Sequence, residues 1–132
     1  LEVLEDVEGP FATTADLVDA RWPGAREFAR ELAPHSFGSR VLDRTVSFTK
    51  GCYTGQELVA RLDARGAKVP WRLVHATGPS VDAIAAVLAS TGPDGPRGVT
   101  TAVVRDGAVA ALAVAHRSLG DAQYGAVSVE TL

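Results

Sequence analysis

The dipeptide Asp106-Gly107 lies between two β-rich runs, Gly98 to Val104 and Ala108 to His116, and no other stretch restricts the fold so tightly. A two-residue hairpin turn needs positive φ at its central positions, which Asp-Gly supplies with little strain, so the runs are expected to pair antiparallel. Val69 to Thr77 alternates in the same way, with Trp71, Leu73 and His75 on one face and Arg72, Val74 and Ala76 on the other. Tyr124 to Glu130 alternates again and reads as one final strand. Between them, Ser80 is placed to cap a helix carrying Val81, Ile84, Val87 and Leu88, although Val87 to Ser90 reads equally well as a strand. The loop Thr91 to Pro96 is dense in turn formers. From about residue 69 onward the chain therefore reads as a small, mostly antiparallel β unit.

The first half has a different texture. Leu1, Val3 and Val7 alternate with acids, as in a half-buried strand that Gly9-Pro10 stops. Ala25, Phe28, Ala29 and Leu32 fall at helical spacing with Arg26, Arg30 and Glu31 on other faces, which predicts a short amphipathic helix over Gly24 to Ala33 closed by Pro34. Thr45 to Thr49 is β-branched and alternating, hence extended. Thr54-Gly55-Gln56-Glu57 has the pattern of a capping box, in which the Thr54 hydroxyl accepts from the Glu57 N–H and the Glu57 carboxylate accepts from the Thr54 N–H. Leu58, Val59 and Leu62 follow, and Gly66 sits at a C-cap after Arg61 and Arg65, so the spacing predicts a helix over Thr54 to Arg65.

Composition limits the function classes. Of the 132 residues 46% are hydrophobic and 22% charged, a globular balance that excludes disorder and fibre. The longest uncharged apolar run, Ala108 to Ala115, falls far short of the roughly 20 residues a membrane span needs, so no membrane partner is expected. Cys52 is the single cysteine, which excludes disulfide stapling and a multi-thiolate zinc site and points to a reducing cytoplasm or to a thiol kept for chemistry. Methionine is absent even from position 1, and the chain reads as part of a longer protein. The net charge of −3 is unevenly divided: residues 1 to 20 hold six acids and no base, whereas residues 21 to 75 hold ten bases against five acids. The basic middle is either a field for an anionic ligand or solvated surface; with few aromatics interleaved, nucleic acid is not an expected partner.

Lys50-Gly51-Cys52-Tyr53-Thr54-Gly55-Gln56-Glu57 is where the chemistry concentrates. A thiol just before a helix N-cap, near free N–H groups and a lysine, has the conditions that lower its pKa from about 8.5. The same cysteine is also explained as a small hydrophobe packing a turn, and both readings stand. Gly51 and Gly55 are too close for a Walker loop, and no Gly-Lys-Ser/Thr ending follows. His35, His75 and His116 are scattered, which gives poor support for a metal; a Cys-His pair formed in space stays open. His75 and Trp71 share a strand face, where structural roles suit them.

The run Val46 to Arg61, followed by Arg65-Gly66, closely resembles the signature of the YgfZ-type folate-binding proteins, relatives of the glycine-cleavage T-protein aminomethyltransferases. Gly98-Val99-Thr100-Thr101-Ala102 is similar to the family's Gly-x-Val-Thr-Ser element, and Ala110 to Arg117 to the strand after it. Asp19-Ala20-Arg21-Trp22-Pro23 sits where the family has Arg-x-Glu-Ala-Gly-x-Pro, with Asp19 in the place of a pteridine-contacting glutamate and Arg21 in that of the glycine.

The resemblance implies an α+β chain: residues 1–68 the end of a T-protein-like folate domain, residues 69–132 a small antiparallel β-barrel. It implies Cys52 and Lys50 as the functional pair, with Lys50, Tyr53, Gln56, Glu57, Arg61 and Asp19 on the cofactor, tetrahydrofolate or a one-carbon derivative. The implied role is a folate-dependent accessory factor for iron-sulfur enzymes, including ones that modify tRNA, with iron-sulfur client proteins as partners. Two other readings compete. One is a true aminomethyltransferase, against which the cysteine-containing motif argues because those enzymes resemble Lys-x-Phe-Ile-Gly there. The other is a non-catalytic β-barrel interaction module.

Overall fold

The computed structural model describes residues 13–30, 32–45 and 69–132. The expected strand at Leu1 to Val7, most of the extended Thr45 to Thr49 segment and the helix over Thr54 to Arg65 lie outside the described residues. Among the described residues, three short α-helices precede the sheet: α1 (Thr14–Ala20), α2 (Ala25–Phe28) and α3 (Ser39–Thr45), with a 3-10 turn at Pro34–Phe37. Five strands follow, β1 (Trp71–Gly78), β2 (Gly98–Arg105), β3 (Ala108–His116), β4 (Ala122–Tyr124) and β5 (Val127–Thr131), with α4 (Val81–Leu88) between β1 and β2.

The strands form one antiparallel sheet in the order β2-β3-β1-β5-β4. Its centre is the β1–β3 pair, in register from Trp71 opposite His116 to Gly78 opposite Val109. The β2–β3 hairpin turns at Asp106 (φ 51°) and Gly107 (φ 76°), the two positive values that the Asp-Gly pair led us to expect.

Alternation along the strands gives the sheet two apolar faces, each covered by helix. Val74, Ala76, Ala111, Ala113, Ala115 and Val129 face α4, which contributes Ile84 and Leu88. The alanines of β3 keep this floor shallow, so two large side chains fill the layer at close packing. Ser80 caps α4 by accepting from the Ala83 N–H at 3.1 Å, and the helix continues to Leu88, which settles the ambiguity over Val87 to Ser90 in favour of helix. On the opposite face Leu73 and Val114 pack with Phe37 and Val41, while Val103 and Leu112 pack with Val18 of α1.

The α+β class and the antiparallel sheet agree with the sequence reading; the barrel does not. The described sheet is open, with β2 and β4 at opposite ends of the strand order. A barrel buries one face of a sheet against itself, whereas here each face already has a helical cover. The helix expected over Gly24 to Ala33 is four residues long and ends at Phe28. Its buried residue is Glu27, 1% exposed, while Phe28 of the expected apolar stripe is 48% exposed and stacks on Phe37 at 4.9 Å. Thr45, expected to be extended, closes α3. The single strand expected over Tyr124 to Glu130 is a hairpin, because Gly125 takes φ 63° and reverses the chain between Tyr124 and Val127.

Candidate functional site

Helix α1 begins with a capping box that the sequence reading passed over. Asp16 N–H donates to Thr13 Oγ1 at 3.1 Å, and Thr13 N–H and hydroxyl donate to Asp16 Oδ2 at 3.0 and 2.7 Å. Those contacts, the backbone one foremost, hold the Asp16 carboxyl below its ordinary pKa. The helix ends at Arg21, which takes the left-handed conformation (φ 54°, ψ 46°). Arg21 N–H donates to the Val18 carbonyl and Trp22 N–H to that of Leu17, the crossed pair of a Schellman ending. Arg40 of α3 then donates to the carbonyls of Ala20 and Arg21 at 2.8 and 2.5 Å, a cation at the negative end of the helix. Arg40 and Arg44 both lie near the ring of Trp22, at 5.7 and 5.9 Å from its centroid.

Asp19, on the last turn of α1, is the one expected cofactor contact among the described residues. Its Oδ2 accepts from Arg105 at 2.5 Å, and both side chains are about half exposed. Arg21 pairs with Glu130 beside it. His75 of β1 senses these charges: burial lowers its pKa most, Arg21 lowers it further, and Glu130 and Asp19 pull the other way. Cys52, Lys50, Tyr53, Gln56, Glu57 and Arg61 lie outside the described residues.

A second constellation escaped the sequence reading. Strand β2 carries a bulge between Val99 and Thr101, so Thr100 is an extra residue opposite β3. The bulge brings the hydroxyls of Thr100 and Thr101 each to 2.6 Å from Glu27 Oε1, and Glu27 Oε2 accepts from the Gly24 N–H at 2.9 Å. All three bonds are local to a buried carboxyl group that ties α2 to the sheet. A cleft of about 190 Å³ lies beside it, its lining including Leu17, Ala25, Glu27 and Leu112. The signal that was available is the Thr100-Thr101 pair inside the family-like Gly98 to Ala102 element; its partner is 73 residues away in sequence.

Two clefts lined by described residues have volumes of about 190 and 280 Å³, below the roughly 300–1,000 Å³ of pockets that enclose a small-molecule ligand, and Asp19 is engaged by Arg105. Among the described residues, no three His, Cys, Asp or Glu side chains are placed to hold a metal, and no helix is long and apolar enough to cross a membrane.

No family model matches the chain, and no solved structure matches it. Over 37 residues the chain is 49% identical to a protein of Haemophilus influenzae (strain ATCC 51907 / DSM 11121 / KW20 / Rd) described as uncharacterized. The match takes in 28% of this chain and only 13% of that protein's length.

Proposed function

We propose that the chain is a segment of a YgfZ-type protein, a tetrahydrofolate-binding accessory factor that supports iron-sulfur enzymes, with Cys52 as its reactive thiol and Lys50 as an anion or carboxylate partner. The observation that carries this reading is the unbroken Lys50-Gly51-Cys52-Tyr53-Thr54-Gly55-Gln56-Glu57 run. A detail of the backbone supports the weaker upstream likeness. Arg21 occupies the place of the family's glycine, and its φ of 54° is one that glycine adopts without strain. The two threonines of the family-like Gly98 to Ala102 element also have a definite task, holding Glu27.

Titration of the whole protein that contains this segment with tetrahydrofolate tests the proposal. Saturable binding is expected, and Cys52→Ala is expected to impair the iron-sulfur enzymes of cells that depend on the protein. Absence of folate binding together with unimpaired enzymes in the Cys52→Ala strain overturns it.

A further inference from the structure

Strand β5 pairs with β1 only from Val74 to Thr77, so the first residues of β1 run past its end. Leu132 N–H closes the gap by donating to the Leu73 carbonyl at 3.3 Å. Gly38 follows the 3-10 turn with φ 90°, and a Cβ there would lie 2.8 Å from the Leu132 carbonyl oxygen. These close approaches leave a cleft of about 280 Å³ whose lining includes His35, Ser36, Arg72, Arg117 and Thr131. His35 and Ser36 are buried, and among the described residues no carboxylate belongs to the lining.

The two arginines are held differently. Arg72 is fixed in place: it donates to Asp121 Oδ1 at 3.1 Å and to the Leu119 carbonyl. Asp121 Oδ1 is shared with the Thr131 N–H at 3.0 Å and the Thr131 hydroxyl at 2.6 Å. Arg72 Nε is buried and has no acceptor among the described residues, an uncommon state for a buried donor. Arg117 is exposed, and no carboxylate among the described residues pairs with its side chain. A cleft lined by one anchored guanidinium and one that no described carboxylate pairs concentrates positive charge at one small volume. Guanidinium groups match carboxylate and phosphate oxygens in a planar fork.

From this arrangement we infer that the cleft binds a compact oxyanion, the carboxylate or phosphate group of a small solute. A nucleic-acid backbone is a poorer match, because it calls for a stripe of cations along a face, not two in a recess. The inference stands apart from the folate reading, since neither Cys52 nor Lys50 enters it, and either can fail alone.

Calorimetric titration of the 132-residue chain with sodium phosphate and, separately, with sodium glutarate at fixed ionic strength tests it. Saturable binding of at least one is expected, and the one that binds identifies the source of the oxyanion. Arg117→Gln, on an exposed residue, is expected to weaken binding about tenfold or more, as the loss of a charge-assisted contact does. Arg72→Gln gives up the Leu119 and Asp121 contacts and risks the fold, so Arg117→Gln carries the decision. Arg30→Gln, an exposed cation outside the cleft, should bind like the wild type. Failure of both anions to bind overturns the inference, as does equal binding by Arg117→Gln or equal weakening by Arg30→Gln.

Discussion

Glu27 joins α2 to β2 through two hydrogen bonds, from Thr100 and Thr101, and caps α2 with a third from the Gly24 N–H, and the substitutions that remove its carboxyl group differ in what they leave behind. Glu27→Ala strands two hydroxyls and one N–H in a buried place, although Thr100 can still turn to the Leu112 carbonyl, 3.0 Å away. Glu27→Gln keeps the shape, but with its amide oxygen toward the threonines it sets an NH₂ against the Gly24 N–H. We expect Glu27→Ala to lower stability by about 3 kcal/mol and Glu27→Gln by about 1–2 kcal/mol, measured by urea denaturation. Adding Thr101→Val to Glu27→Ala removes an orphaned hydroxyl and should recover part of the loss; strict additivity of the two changes would contradict the pairing. Sequence pattern could not announce this residue. A charged side chain on a short helix reads as solvated, and what buries Glu27 is a bulge on a strand 73 residues away.

At the scale of elements, the features that were legible are those whose cause is local. The β2–β3 hairpin follows from two adjacent residues that tolerate positive φ, and the start of α4 from a serine three residues before the N–H it accepts. What failed depended on context: α2 stops early although its apolar spacing continues, and an alternating run from Tyr124 proved to contain a turn because Gly125 takes positive φ. The hairpin offers a clean measurement. A Cβ at Gly107 would meet nothing within 4 Å, so Gly107→Ala changes the backbone cost alone. A loss of about 1 kcal/mol is expected, the left-handed penalty of one residue. Gly95→Ala is the steric counterpart, since its Cβ would lie 2.1 Å from Trp71 Cζ2. It should cost more, about 1–3 kcal/mol, and should alter tryptophan fluorescence, whereas Gly107→Ala should not. Equal effects on fluorescence would show that the loop does not rest on Trp71.

At the scale of the whole molecule, strand content was legible but closure was not, because an alternating strand announces two faces without saying what covers them. A resemblance suggested that the sheet covers itself; α1 to α3 on one side and α4 on the other do so instead. The candidate site was legible only as the Lys50–Glu57 motif, while the Arg72 and Arg117 cleft depends on where β5 ends, which no local pattern states. The helix-covered sheet also gives the molecule a pH response in two stages. Burial lowers the His75 pKa below 6.5, with Arg21 adding to the effect against Glu130 and Asp19. The native chain therefore favours neutral His75, and the unfolded chain takes up the proton first as pH falls. The stability this contributes is complete above about pH 6.5 and is lost as pH falls through the folded pKa. The second stage belongs to Asp121: burial works to raise its pKa, but Thr131 and Arg72 together outweigh burial and hold it below 3.8. Its contribution is complete above that value and disappears only in stronger acid, where Asp16, lowered by its Thr13 contacts, acts in the same direction. Melting temperature followed from pH 8 downward should be level to about 6.5, begin to fall below it, and fall again below about 4. His75→Gln should remove the first descent and keep the second. A first descent of the same size in His75→Gln would assign it to another group and show that the imidazole at the α1 face does not govern stability near neutrality.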